Sequence, residues 1–362
     1  MPTALASELS ARAESIGAAA FDALGGIVLA GAAGGDPIGL RVHSVFSSTI
    51  NLKVEGSDIL VALSGPSGAA YPYTVSLGRG ADFLSWPLGR GDRGEAEGGF
   101  LRIESRAAAR RVDVRRARLR ARPELSPTSR VGGELALCEG ELASFQGRRG
   151  FDLRLAHLKE GARAESPMGE ELRRSVLAFG AAALECRRLG SAVTPAALVP
   201  TASVRAPGGS NAVPTASVPT ASAAALVPTA SAAALVGRGG GLTPSGDDFL
   251  CGFMAAARCT APKGAAAPDF LSDALCEAIG RSISSTGEIS ASLLRCAMRE
   301  YWPRPLADLS RALALGLGFD SLNSLHELCG LGHSSGADIA TGFLYGLRLL
   351  APAGGDRTVS VT

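Results

Sequence analysis

Between Gly237 and Asp248 the chain reads Gly237-Arg238-Gly239-Gly240-Gly241-Leu242-Thr243-Pro244-Ser245-Gly246-Asp247-Asp248, setting three successive glycines, two hydroxyls and two carboxylates side by side. Glycine lets backbone amides come close to a ligand, and the apolar run from Phe249 onward starts a helix whose positive end faces that loop. The chemistry this suits is the holding of a small anion. Gly239, Gly240, Gly241 and Gly246, with the hydroxyls of Thr243 and Ser245, form the candidate binding set. Ser245 and Asp248 also stand in the S-x-x-D register of a capping box, with Ser245 as N-cap. The plainer reading is therefore a well-capped buried helix. Capping does not call for three glycines, Thr243 or the second carboxylate, Asp247. The G-x-x-x-x-G frame from Gly241 to Gly246 is followed by Asp247 where a phosphate-cradling loop carries lysine, which disfavours an ordinary ATP site.

The pattern returns near the C-terminus. Ser245-Gly246-Asp247-Asp248 corresponds to Ser335-Gly336-Ala337-Asp338, and Gly252-Phe253 to Gly342-Phe343, ninety positions on. Two similar capped helices are expected, each with a small stripe: Asp248, Gly252, Ala256 in one and Asp338, Gly342, Gly346 in the other. Small stripes permit close helix packing. If the helices lie with their starts at one end, Ser245, Asp247, Asp248, His333, Ser335 and Asp338 surround one polar pocket. The alternative is two independently capped core helices.

Around these helices the chain divides by pattern. Residues 1–122 read as a β-rich domain behind a leading alanine-rich helix (Met1 to Gly26), with strand candidates at Ile50 to Val54, Ile59 to Leu63, Tyr73 to Leu77, Phe100 to Ile103 and Arg111 to Leu119, and a turn at Gly56-Ser57. His43 beside the first strands could be an acid, a base or an anion donor, or an ordinary strand histidine. The arginines from Arg110 to Arg122 read first as a solvated strand face. Residues 123–194 begin a helical domain, with Leu172, Val176 and Phe179 at helical spacing. Over residues 195–234 the unit Val-Pro-Thr-Ala-Ser recurs, for example at Val199 to Ser203 and Val227 to Ser231. Such units are too short and too poor in large side chains to bury a face, so the stretch reads as a disordered insertion. Residues 235–352 carry the helical domain with the glycine loop, and 353–362 a disordered tail. The fold class is α+β.

Composition narrows the function. The 362 residues are 46% hydrophobic with a net charge of +2, which gives no electrostatic reason to expect nucleic acid. Seven cysteines without a C-x-x-C pair read as buried reduced thiols. The absence of a signal-like N-terminus and of any run near 20 apolar residues points to a cytoplasmic protein with no membrane partner.

Taken together, Gly241 to Asp248 (G-L-T-P-S-G-D-D), Ser285-Thr286-Gly287-Glu288-Ile289-Ser290, Gly332-His333-Ser334-Ser335-Gly336-Ala337-Asp338, and Val42-His43-Ser44-Val45-Phe46 with Asn51-Leu52 resemble the AllH-type family, a subunit family of the catabolic oxamate carbamoyltransferase. The resemblance spans roughly Val42 to Leu350. Residues 195–234 have no counterpart in it, and Gly240 stands where members often have proline. It implies a system of three unlike subunits that converts oxalurate and phosphate to oxamate and carbamoyl phosphate in allantoin breakdown, hence two partner subunits and a small anionic substrate. In that setting Thr243, Ser245 and Ser335 would donate to the anion, and His333 would shuttle a proton or face an oxyanion. Asp247 would hold a bridging magnesium or orient His333, with Asp248 and Asp338 mainly capping. A regulatory scaffold subunit and a stand-alone enzyme on another small amide or carboxylate are the alternatives.

Overall fold

The computed structural model describes residues 9–26, 36–66, 70–78, 83–128, 132–147, 153–159, 161–192, 230–261 and 270–351. Most of the Val-Pro-Thr-Ala-Ser stretch and all of 353–362 lie outside them. The end of that stretch, residues 230–234, enters a helical turn in which Ala232 is buried.

The N-terminal region is a closed barrel. Its strands are β1 (Leu9–Gly17), β2 (Ile38–Val45), β3 (Thr49–Val54), β4 (Val61–Ser64), β5 (Thr74–Leu77), β6 (Arg93–Glu97), β7 (Phe100–Glu104), β8 (Ala109–Asp113) and β9 (Arg118–Arg120), with a short helix α1 (Ala18–Ala23) after the first. They form one sheet in the order β5-β4-β3-β2-β6-β7-β8-β1-β9, and a further β1–β5 pairing closes it. Closure leaves no long free edge between β1 and β5. Ile50, Leu52 and Val54 alternate with Asn51 and Lys53 along β3 and enter the interior with Val42, Leu63, Val75, Leu101, Ile103 and Val112. The Gly56 turn follows β3 at φ +77°, a conformation suited to glycine.

Two expectations are corrected here. Within the expected leading helix Ala18–Ala23 is helical, but Leu9–Gly17 is instead the strand β1, which pairs with β8 through residues 9–12, with β5 through 13–16 and with β9 through 15–17. Ala13 and Ser15 are buried while Arg12 and Glu14 are exposed, a period of two. Alanine content argues for helix locally, and three non-local pairings override it. The single strand expected at Arg111 to Leu119 breaks into β8 and β9 at a turn closed by the Ala117 amide on the Val114 carbonyl. The arginines there have structural uses. Arg111 lies over the Phe100 ring, Arg115 pairs with Asp113, and Arg120 donates to Thr74.

Helices α2 (Gly133–Gly147), α3 (Pro167–Ala192), α4 (Ser245–Cys259), α5 (Phe270–Ser282), α6 (Glu288–Met298), α7 (Arg304–Leu315), α8 (Gly318–Cys329) and α9 (Ser335–Leu350) build the C-terminal region. At its centre α4 and α9 run parallel. A Cβ on Gly252 would stand 1.9 Å from the Ile339 carbonyl oxygen, and one on Gly342 would stand 2.0 Å from that of Phe249. The two small stripes thus face each other, so the backbones themselves touch. Phe179 from α3 packs edge-on against Phe253, with centroids 4.6 Å apart.

Helix α6 seats this region on the barrel. The Leu60 amide donates to Ser292 Oγ at 2.9 Å. Arg299 grips Asp58 through two bonds of 2.7 Å, and Lys53 of β3 reaches Glu288 at 2.6 Å.

Candidate functional site

The parallel packing of α4 and α9 brings their two starts to one end of the helical core, beside the barrel. The loops preceding them are joined there: Thr243 Oγ1 and Ser335 Oγ lie 2.6 Å apart. Gly239 and Gly241 adopt φ of +113° and +92°, and Gly240 to Leu242 form an exposed tip. No atom lies within 4 Å of a Cβ built on Gly240 or Gly241, so that side of the loop is open.

The helix starts themselves differ from the capping expectation. The N-caps are Pro244 and Ser334, neither with a side-chain cap bond, so Ser245 and Ser335 are each the first helical residue. The Gly246 amide donates to the Arg238 carbonyl, and the amides of Asp247 and Asp248 to that of Pro244; in α9 the Gly336 amide donates to the Leu331 carbonyl. The preceding chain folds back to serve as the cap. That crossing explains both S-G pairs, because a Cβ on Gly246 would stand 2.2 Å from the Leu235 carbonyl oxygen and one on Gly336 1.7 Å from that of Leu328. The amides of Gly246 to Asp248 are consequently engaged inside the protein. What remains toward solvent is the Gly239 to Thr243 loop.

Asp248 and Asp338 are not caps. Both carboxyls are fully buried, and the Ser335 and Thr243 hydroxyls are the polar neighbours of Asp248. Burial pushes the Asp248 pKa well above the usual carboxylate range, Asp338 raises it further, and the neighbouring Ser335 and Thr243 hydroxyls oppose the rise. The Tyr71 hydroxyl is also pushed up, by burial and then by the Asp248 charge. A Cβ on Gly332 would lie 3.9 Å from that hydroxyl, which places Tyr71 beside the turn before α9.

Asp247 turns the other way. Its Oδ1 accepts from the Gly237 amide at 2.8 Å, and its Oδ2 from Thr286 Oγ1 at 2.5 Å and Ser290 Oγ at 2.7 Å. Burial raises its pKa, and the bonds from Ser290, Thr286 and Gly237 act against the rise. Asp247 is therefore a strut between the glycine loop and the start of α6, and these bonds do not run to His333. His333 is exposed on the turn before α9. Among the described residues no group of three or more His, Cys, Asp or Glu is arranged to hold a metal ion.

The 286–290 segment, which carried no assigned role in the sequence reading, is the hub. Thr286 and Ser290 hold Asp247, while Glu288 between them pairs with His43 at 3.0 Å and Lys53 at 2.6 Å. Its dense hydroxyls were the available signal. Tyr71 had none, because only the barrel's closure carries it to the helix starts.

Residues 235–347 match the family model described as oxamate carbamoyltransferase subunit AllH. Over this region the chain is similar to that family. The matched span takes in both S-G loops, the 286–290 hub and His333, while the barrel lies outside it. No curated protein and no solved structure matches the chain. The matched region thus contains the α4–α9 junction, and His43, Lys53 and Tyr71 reach it from the barrel.

Proposed function

We propose that the chain is a subunit of an oxamate carbamoyltransferase-type complex, acting with two unlike subunits on oxalurate and phosphate to give oxamate and carbamoyl phosphate. The Gly239 to Thr243 loop holds the anionic phosphate or carbamoyl phosphate, and His333, exposed on the turn before α9, serves as a donor. Magnesium, if the reaction needs it, arrives with the anion, since both Asp247 oxygens already accept hydrogen bonds. The observation that carries this reading is the Thr243–Ser335 contact, which ties the two repeated loops into one polar site within the matched region.

The test is carbamoyl phosphate formation from oxalurate by the reconstituted complex. His333→Ala is expected to lower turnover by about 100-fold, the usual loss for one oxyanion donor, with folding intact. Unchanged turnover removes the catalytic role. The internal engagement of the helix-start amides favours one alternative, a regulatory subunit that only binds the anion. Retained phosphate binding with unchanged turnover selects it.

A further inference from the structure

Along the β2–β3 pair, Val42 faces Leu52 and Ser44 faces Asn51, so β2 holds one more residue than its partner, and that residue is His43. This is a β-bulge, a device that re-aims side chains and occurs often beside active sites. In a regular strand the side chains of His43 and Ser44 would leave on opposite faces. Here they meet: His43 Nδ1 lies 3.0 Å from Ser44 Oγ. On the other side of the ring, His43 Nε2 lies 3.0 Å from Glu288 Oε2.

The network fixes the protons. Lys53 holds Glu288 below the usual carboxylate pKa, so Glu288 is ionised and only accepts. His43 Nε2–H then donates to it, which leaves Nδ1 to accept from the Ser44 hydroxyl. Asn51 Nδ2–H donates to Ser44 Oγ at 3.0 Å. Burial keeps His43 below its ordinary pKa, with Lys53 and Arg90 pushing the same way and Glu288 opposing, so the ring is neutral and able to take a proton at pH 7. All of these side chains except the buried Asn51 retain solvent access.

We propose that Ser44, His43 and Glu288 form a nucleophile, a base and an orienting carboxylate for acyl transfer from an amide or ureide carbonyl. Ser44 Oγ attacks the carbonyl carbon and its proton passes to His43 Nδ1. The C–N bond breaks as that proton goes to the departing nitrogen, leaving an acyl ester on Ser44. Water or a phosphate oxygen then attacks the ester, and a proton returns through His43 to Ser44 Oγ. Asn51 positions Ser44. Only the choice of acyl group, carbamoyl, rests on the function proposed above.

A fluorophosphonate probe on the full-length chain tests the triad without partners or oxalurate, so its failure is distinct from failure of the carbamoyltransferase reading. Peptide mapping is expected to find one adduct, on Ser44, absent in Ser44→Ala. His43→Ala should slow labelling by about 100-fold or more. Glu288→Gln should slow it about tenfold and lower the pH midpoint of the rate, because Glu288 raises the His43 pKa. Lys53→Met removes the same ion pair but should keep labelling and raise the midpoint. A purely structural bridge predicts equal losses in Glu288→Gln and Lys53→Met. That result, an adduct absent or elsewhere, or labelling of Ser44 indifferent to His43→Ala, overturns the proposal.

Discussion

Asp248 is the residue that best shows how the helix junction sets chemistry. A carboxyl whose folded pKa lies above its unfolded value of about 3.9 binds more protons in the folded state across that window. Its favourable contribution is complete below the unfolded pKa and is lost as pH rises through the raised one. Burial and the facing Asp338 cause the rise. Thermal melts from pH 4 to 9 should therefore show stability declining with pH, and Asp248→Asn should flatten that decline and be more stable than wild type at pH 8. A parallel pH profile for the two proteins would contradict the assignment. Asp247, Asp248 and Asp338 stand out in the sequence, Asp247 as a magnesium holder or an orienter of His333 and the other two mainly as caps. Local register pairs Ser245 and Asp248 as a capping box, whereas the Pro244 carbonyl takes the Asp248 amide that the Ser245 hydroxyl would have served. Asp247 finds Thr286 and Ser290 thirty-nine and forty-three positions away, contacts that no local pattern discloses.

At the scale of elements, the two small stripes were legible because they repeat, and they dictate how α4 and α9 meet. Gly252 and Gly342 are sites where a single methyl would enter backbone on the facing helix. Gly252→Ala and Gly342→Ala should each cost about 3 kcal/mol in urea denaturation. Since they relieve or crowd one shared contact, the double variant should cost less than the sum. An alanine tolerated within about 0.5 kcal/mol at either position would mean the helices stand farther apart. Strand β1 was illegible for the opposite reason. Its pairing partners β5, β8 and β9 are distant in sequence, and alanine content pointed to helix until closure of the barrel supplied partners.

The whole molecule joins a barrel to a helical core through α6, and this seam puts His43, Lys53 and Tyr71 beside the region that matches the AllH model. Its exposed ion pairs contribute little to stability, typically under about 1 kcal/mol each. The Ser292 hydroxyl matters more, because it serves the buried Leu60 amide. Ser292→Ala should cost about 1–3 kcal/mol, and Asp58→Ala less, by denaturant melts of the full chain. The α+β division was readable from the shift between alternating and helical periods. The convergence of four separated motifs at the seam was not, since it depends on how the barrel sits on α6.

Gly240 allows a clean measurement of small-anion binding by the glycine loop. This residue is exposed, has no positive φ, and nothing lies within 4 Å of an added Cβ, so Gly240→Asp should fold normally while placing a carboxylate in the loop. Thermal stability of the purified chain should rise saturably with carbamoyl phosphate or phosphate, by about 1.4 kcal/mol at ten times the dissociation constant. Gly240→Asp should melt like wild type without ligand and show no rise with it. No shift in wild type, or an equal shift in the variant, would mean that the loop does not hold the anion.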